Sequence, residues 1–167
     1  DMEINVWDQI IAFEGRMHEF IKAAYDYQDN TFHSHPGYYI DYFEMRLAQL
    51  QVLHNLHYEI KKIRKMPKQA LVIADYIMYM ADYVVEMNIP DQQIEKLEEI
   101  SEQMKQEELP KTREEFEGRA LLYHILMDLE EFLVYKKRFV NGLDEKKLRI
   151  YWKQEMEQKD SANELQK

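Results

Sequence analysis

Apolar residues at Val6, Ile10, Phe13, Met17, Phe20, Ile21 and Ala24 recur at intervals that keep to one helical face, which predicts a helix over roughly 5–28. Asn5 stands where a side chain can cap its first turn. A second series, Ile40, Phe43, Leu47, Leu50, Leu53 and Ile60, predicts a long helix from about Pro36 to Ile63. Proline suits the first turn of that helix because its missing amide would have no intrahelical partner there. Beyond Met66-Pro67, the residues Leu71, Ala74, Met78, Ala81 and Val85 mark the expected core side of a third helix, ended by Asn88-Ile89-Pro90.

The next stretch, 91–108, is poorer in apolar residues: Ile94, Leu97, Ile100 and Met104 stand against a surface rich in glutamate. Like charges four apart, such as Glu95 and Glu99, weaken an isolated helix slightly, so this element is expected to be the most loosely held. Thr112-Arg113-Glu114-Glu115 reads as a capping box, in which the hydroxyl and the carboxylate satisfy orphan amides. It opens a helix with a broad apolar face, Phe116, Ala120, Leu122, Ile125, Leu126, Leu129, Phe132 and Leu133, that runs to Asn141-Gly142. Residues 144–167 carry a short apolar patch at Leu148, Ile150, Tyr151 and Trp152 and then turn polar, which predicts a partial helix and a frayed tail. The expected fold is all-α, an up-and-down bundle of five to six helices over 1–143, with the helices at 36–63 and 112–141 central.

Composition agrees with that pattern. The 167 residues are enough for one core, and only four glycines and four prolines interrupt an abundance of strong helix formers. The absence of cysteine excludes disulfides, thiolate metal sites and a cysteine nucleophile, and suits a reducing compartment. A net charge of −10 opposes nucleic acid and anionic lipid as partners. The apolar run Ala70-Leu71-Val72-Ile73-Ala74 is far shorter than the roughly 20 residues of a bilayer span, so no membrane insertion is expected. An opening Asp1-Met2-Glu3 lacks the zones of a signal peptide and suggests a piece of a longer protein. Lys61-Lys62-Ile63-Arg64-Lys65 and Lys136-Lys137-Arg138 read as helix-end charge that complements the helix dipole.

Among candidate sites, His54 and His57 share a helical face, and His33 and His35 lie in the preceding connection, so four imidazoles are available to a metal. A carboxylate-bridged bundle site would need Glu-x-x-His, which does not occur, so core-edge histidines and no metal or cofactor are expected. Tyr38, Tyr39 and Tyr42, like Tyr76, Tyr79 and Tyr83, stand at helical spacing and read as packing before they read as a stacking platform. Arg46 and Arg119 are set among residues of packed helices, where a guanidinium needs a carboxylate or a bound anion. Ion pairing with Glu14, Glu117, Asp128 or Glu130 is the expectation. No phosphate loop, nucleophile elbow or Ser/His/Asp set is recognisable, so no enzymatic activity is expected.

The segment Pro110-Lys-Thr-Arg-Glu-Glu-Phe-Glu-Gly-Arg-Ala-Leu-Leu-Tyr-His-Ile-Leu126, followed by Glu130-Glu-Phe-Leu-Val-Tyr-Lys136, resembles the C-terminal domain of the putative aromatic acid exporter family of bacterial membrane proteins. Tyr38-Tyr39 and Tyr42-Phe43-Glu44-Met45-Arg46, with Gln49-Leu50, resemble an earlier helix of that domain. The resemblance covers roughly 36–140 and implies a helical domain on the cytoplasmic side of the cell membrane, behind an N-terminal membrane region that would be its partner. It marks Arg46, Glu115, Arg119 and His124 as motif positions, candidates for ligand binding or structural ion pairs. The implied role is assembly, regulation or gating without catalysis, with homo-oligomer formation open. Alternatives are a bundle that senses aromatic carboxylates and a histidine-rich metal-binding bundle.

Overall fold

The computed structural model describes residues 36–63 and 67–153, together with single helical, exposed positions between Ala12 and Asp26. The predicted apolar stripe of the 5–28 helix, His33, His35 and the tail after Lys153 lie outside the described residues. Within them the chain forms α1 (Pro36–Lys61), α2 (Ala70–Ala81), α3 (Asp91–Lys105), α4 (Arg113–Asn141) and α5 (Glu145–Tyr151), with no strand among the described residues. The all-α expectation holds.

Local chemistry sets the boundaries. Thr112, in extended conformation, accepts at its Oγ1 from the Glu115 amide at 3.1 Å, and the Glu115 carboxylate accepts from the Lys111 amide at 2.7 Å. The carboxylate thus reaches one residue before the cap, a variant of the expected box. Asp144 caps α5 in the same manner, accepting from the Lys147 amide at 2.7 Å. Asp91 in the first turn of α3 and Lys61 in the last turn of α1 complement their helix dipoles.

The bundle is built on α1 against α4, with α3 on α4 and α2 against both α3 and α4. Tyr38 meets Phe139 while Gln49 meets Phe132, so α1 and α4 run antiparallel. Their shared core holds Val52 and Leu56 with Leu122, Ile125, Leu126, Leu129, Phe132 and Leu133. Leu97, Ile100 and Met104 close it from α3, and Ile73, Tyr76 and Met80 from α2.

Three faces differ from the pattern-based expectation. On α2 the buried residues are Ile73, Tyr76 and Met80, whereas Leu71, Met78 and Val85 are exposed, and the helix ends at Ala81. The sequence of α2, with one charge in twelve residues, is apolar around nearly its whole circumference, so periodicity cannot choose a face. The rotation is fixed by a polar contact: the Tyr76 hydroxyl donates to the Gln93 carbonyl at 2.7 Å. On α1 the buried set includes Arg46 and Gln49, and Leu47 turns outward. Phe116 and Ala120, expected in the core, are exposed on the opening turns of α4.

Candidate functional site

The first half of α1, the last third of α4, the 82–90 connection and the end of α5 converge on one cluster. Aromatic spacing on α1 supplies Tyr38 and Tyr42, whose rings meet Phe139 of α4 at 5.5 and 5.6 Å between centroids. Tyr151 stacks on Tyr38 at 4.2 Å. Trp152, 2% exposed, donates its indole N–H to the Tyr38 hydroxyl at 2.9 Å, and that hydroxyl donates to Glu86 Oε1 at 3.0 Å.

Two cations are buried against these rings, each only 4% exposed. Arg46 donates through Nε to the Tyr42 hydroxyl at 3.0 Å and through a terminal nitrogen to Gln49 Oε1 at 2.7 Å. Gln49 in turn donates to the Phe132 carbonyl at 2.8 Å. Lys136 Nζ donates to the main-chain carbonyls of Val85, at 2.8 Å, and Glu86. It lies 5.7 Å from the centroids of both Tyr42 and Trp152, within cation–π range.

This arrangement corrects one expectation. Arg46 has a neutral phenol and a neutral amide as its acceptors among the described residues, and Glu14, an expected partner, lies outside them. Lys136 was expected to be helix-end charge, but it sits on the apolar stripe of α4 and turns inward to tie down the 82–90 connection. The signal was present in the spacing, because Phe132, Lys136 and Val140 are successive positions four apart.

The electrostatics are lopsided. Glu86 is the carboxylate at this cluster, against two buried cations. Burial above all, and then the Arg46 charge, pushes the Lys136 amine down to about 7, against the opposing pull of Glu86. Burial likewise pushes the Tyr38 phenol well above its usual range, opposed by the Trp152 bond and reinforced by Glu86. Among the described residues the cluster therefore sets two cationic side chains against one carboxylate among aromatic rings, and one of the two is an amine that changes protonation near neutrality.

The other motif positions lie elsewhere. Glu115 serves the α4 cap, and Arg119 donates to the Glu108 carbonyl beyond α3, while its expected partner Glu14 lies outside the described residues. His124 Nδ1 is 4.0 Å from Asp128 Oδ1 on the outer part of α4. Arg119 and Lys136 are roughly 25 Å apart along the helix, so Arg46 does not share a site with Glu115 or Arg119. His54 is exposed and His57 half-buried, and the described residues contain no group of three or more side chains suited to a metal. Gln49, Glu86, Lys136 and Trp152 complete the cluster without having been candidates from sequence.

A family model described as the putative aromatic acid exporter C-terminal domain matches residues 3–137. The chain belongs to this family. The chain is 32% identical over 98 residues to the uncharacterized protein YqjA of Bacillus subtilis (strain 168), an alignment covering 59% of this chain and 30% of that protein. The chain thus spans less than a third of that relative's length. A crystal structure of a putative membrane protein from Clostridium difficile 630 superposes with a TM-score of 0.64 at 26% identity, over 78% of this chain and 77% of that one. This is a helical C-terminal domain of an aromatic acid exporter-like membrane protein. Among its described residues no helix is long and apolar enough to cross a membrane. The matched region contains Arg46, Gln49 and Lys136 and stops before Tyr151 and Trp152.

Proposed function

We propose that this exporter domain lies on the cytoplasmic side of the bacterial membrane and assembles with, and regulates or gates, its own N-terminal membrane region without catalysing a reaction. The family match over 3–137 carries this reading. The net charge of −10 supports it: the cytoplasmic leaflet is anionic and repels such a body, whereas the cytoplasmic loops of membrane proteins are rich in Lys and Arg. Protein contacts, and not lipid, would then hold the domain in place. The test is sidedness. Gln92→Cys, at an exposed position of α3, is introduced into the full-length protein and treated with a membrane-impermeant maleimide. Labelling of inside-out vesicles but not of intact cells is expected, and labelling of intact cells would overturn the placement.

A second reading, regulation by an aromatic carboxylate, is favoured by one observation: Arg46 and Lys136 are buried together beside Tyr42, with Glu86 the one carboxylate near them among the described residues. A guanidinium beside a phenol ring, with an amine beside an indole, offers both charge and stacking to such a molecule. In a Trp7→Phe background Trp152 is the one remaining indole, and its emission follows a titration with benzoate. A saturable change that Arg46→Met abolishes is expected. A featureless titration removes this reading.

A further inference from the structure

Among the described residues the outer face of α2 is an apolar stripe without cover. Leu71 is 59% exposed and Met78 64%, and Val72 and Val85 are also exposed. Leu71 and Met78 are seven apart on α2, with the exposed Asp75 between them and Asp82 at the C-cap, so apolar and acidic side chains share one side of the helix, and the exposed Val85 follows in the connection beyond it. A helix apolar on all sides is normally covered on all sides, and here the described residues cover the Ile73, Tyr76 and Met80 side alone.

We infer that this face docks a helix of the protein's own membrane region that carries an apolar stripe flanked by Lys or Arg, an inference that rests on the cytoplasmic placement proposed above. Charge decides between the occupants. In paired helices, flanking charges select the partner. A second copy of the same face would set Asp75 and Asp82 against their equals, and an anionic lipid surface would meet the same two carboxylates. The cytoplasmic ends of membrane-spanning helices supply the complement, because Lys and Arg are in excess there. The face is also continuous with the buried cluster: the Val85 side chain is exposed while its carbonyl accepts from Lys136 Nζ. An occupant seated on Val85 bears directly on the segment that Lys136 ties down.

The experiment uses the full-length protein in inside-out bacterial vesicles, with any cysteine outside this cysteine-free domain replaced. Met78→Cys carries a benzophenone maleimide, is photolysed, and the adduct is mapped by mass spectrometry. The expected adduct lies on a Lys- or Arg-bearing segment of the same polypeptide's membrane region. Reversing both charges, Asp75→Lys with Asp82→Lys, lowers its yield by roughly fivefold, and Glu99→Cys on exposed α3 gives no such adduct. An adduct to lipid, to α2 of a second copy, or none within the polypeptide overturns the inference. Labelling of Gln92→Cys separates the two failures: cytoplasmic labelling without the adduct refutes docking alone, and labelling from outside refutes the placement itself.

Discussion

The Trp152 indole and the Tyr38 hydroxyl, 114 positions apart in the chain, are joined by a 2.9 Å hydrogen bond inside the protein. That bond brings the residue after α5 onto the opening turns of α1, and Tyr151 stacking on the same tyrosine doubles the attachment.

Trp152 is therefore expected to contribute to the stability of the whole bundle. Trp152→Phe keeps a ring but loses the N–H, at a cost of about 1 kcal/mol, whereas Trp152→Ala also leaves a cavity, at a cost of roughly 3–5 kcal/mol. Urea midpoints of the two variants measure the difference. An unchanged midpoint in Trp152→Ala would show that α5 lies outside the cooperative unit.

Lys136 predicts a pH dependence. Its amine falls to about 7 in the folded protein against 10.5 as a free side chain, so between those values the unfolded chain binds more protons. Stability from this group therefore rises with pH through the window. An increase of about 1–2 kcal/mol from pH 7 to pH 9 is expected, below the titration of the tyrosines, and Lys136→Met should flatten it. Arg46→Met, by removing the neighbouring positive charge, should move the start of the rise to higher pH.

Asp128 has the opposite sign. It is buried with Oδ2 lacking a hydrogen-bond partner, and burial raises its carboxyl, partly offset by His124 and reinforced by Glu131 and Glu59. The folded state then holds its proton longer than the unfolded chain, and stability from this group is lost as pH rises through the folded value. Asp128→Asn is expected to stabilise the protein at pH 7 by a few tenths to about 1 kcal/mol, with no gain at pH 3, as read from thermal midpoints.

Arg119 gives a more modest expectation than a buried ion pair would. It is half-buried and donates to the Glu108 carbonyl, so Arg119→Met should cost about 1 kcal/mol. Arg113→Met, exposed in the first turn, should cost well under that. Chemical denaturation of the pair checks the ranking. A loss of 3 kcal/mol or more in Arg119→Met would point to a paired, buried charge instead.

What the sequence made legible follows from how local each signal is. The expected 36–63 helix is Pro36–Lys61, and Thr112 caps a helix that ends at Asn141, because proline, cap and stop residues act within a turn. The face of α2 was not legible, since its composition is nearly uniform around the axis and a hydroxyl reaching Gln93 sets the rotation. Arg46 was recognisable as an unusual buried cation, but its neutral acceptors depend on rotamers of its own helix. Lys136 differs from its neighbours Lys137 and Arg138 in one dimension only by its place on the Phe132–Val140 stripe, and its partners were not legible because they come from the return of the 82–90 connection, with two carbonyls aimed at it.

The pairing of α1 with α4 has a mechanical consequence. At 26 and 29 residues these helices are about 39 and 43 Å long, and the Gln49 bond to the Phe132 carbonyl pins them near the middle of α1. A pinned pair of rods is a lever arm. A tilt of about 5° about that pin would move the ends of α1, roughly 20 Å from it, by about 2 Å, enough to carry a hydrogen bond of about 2.9 Å out of range, so a small displacement at one pole of the domain can make or break contacts at the other.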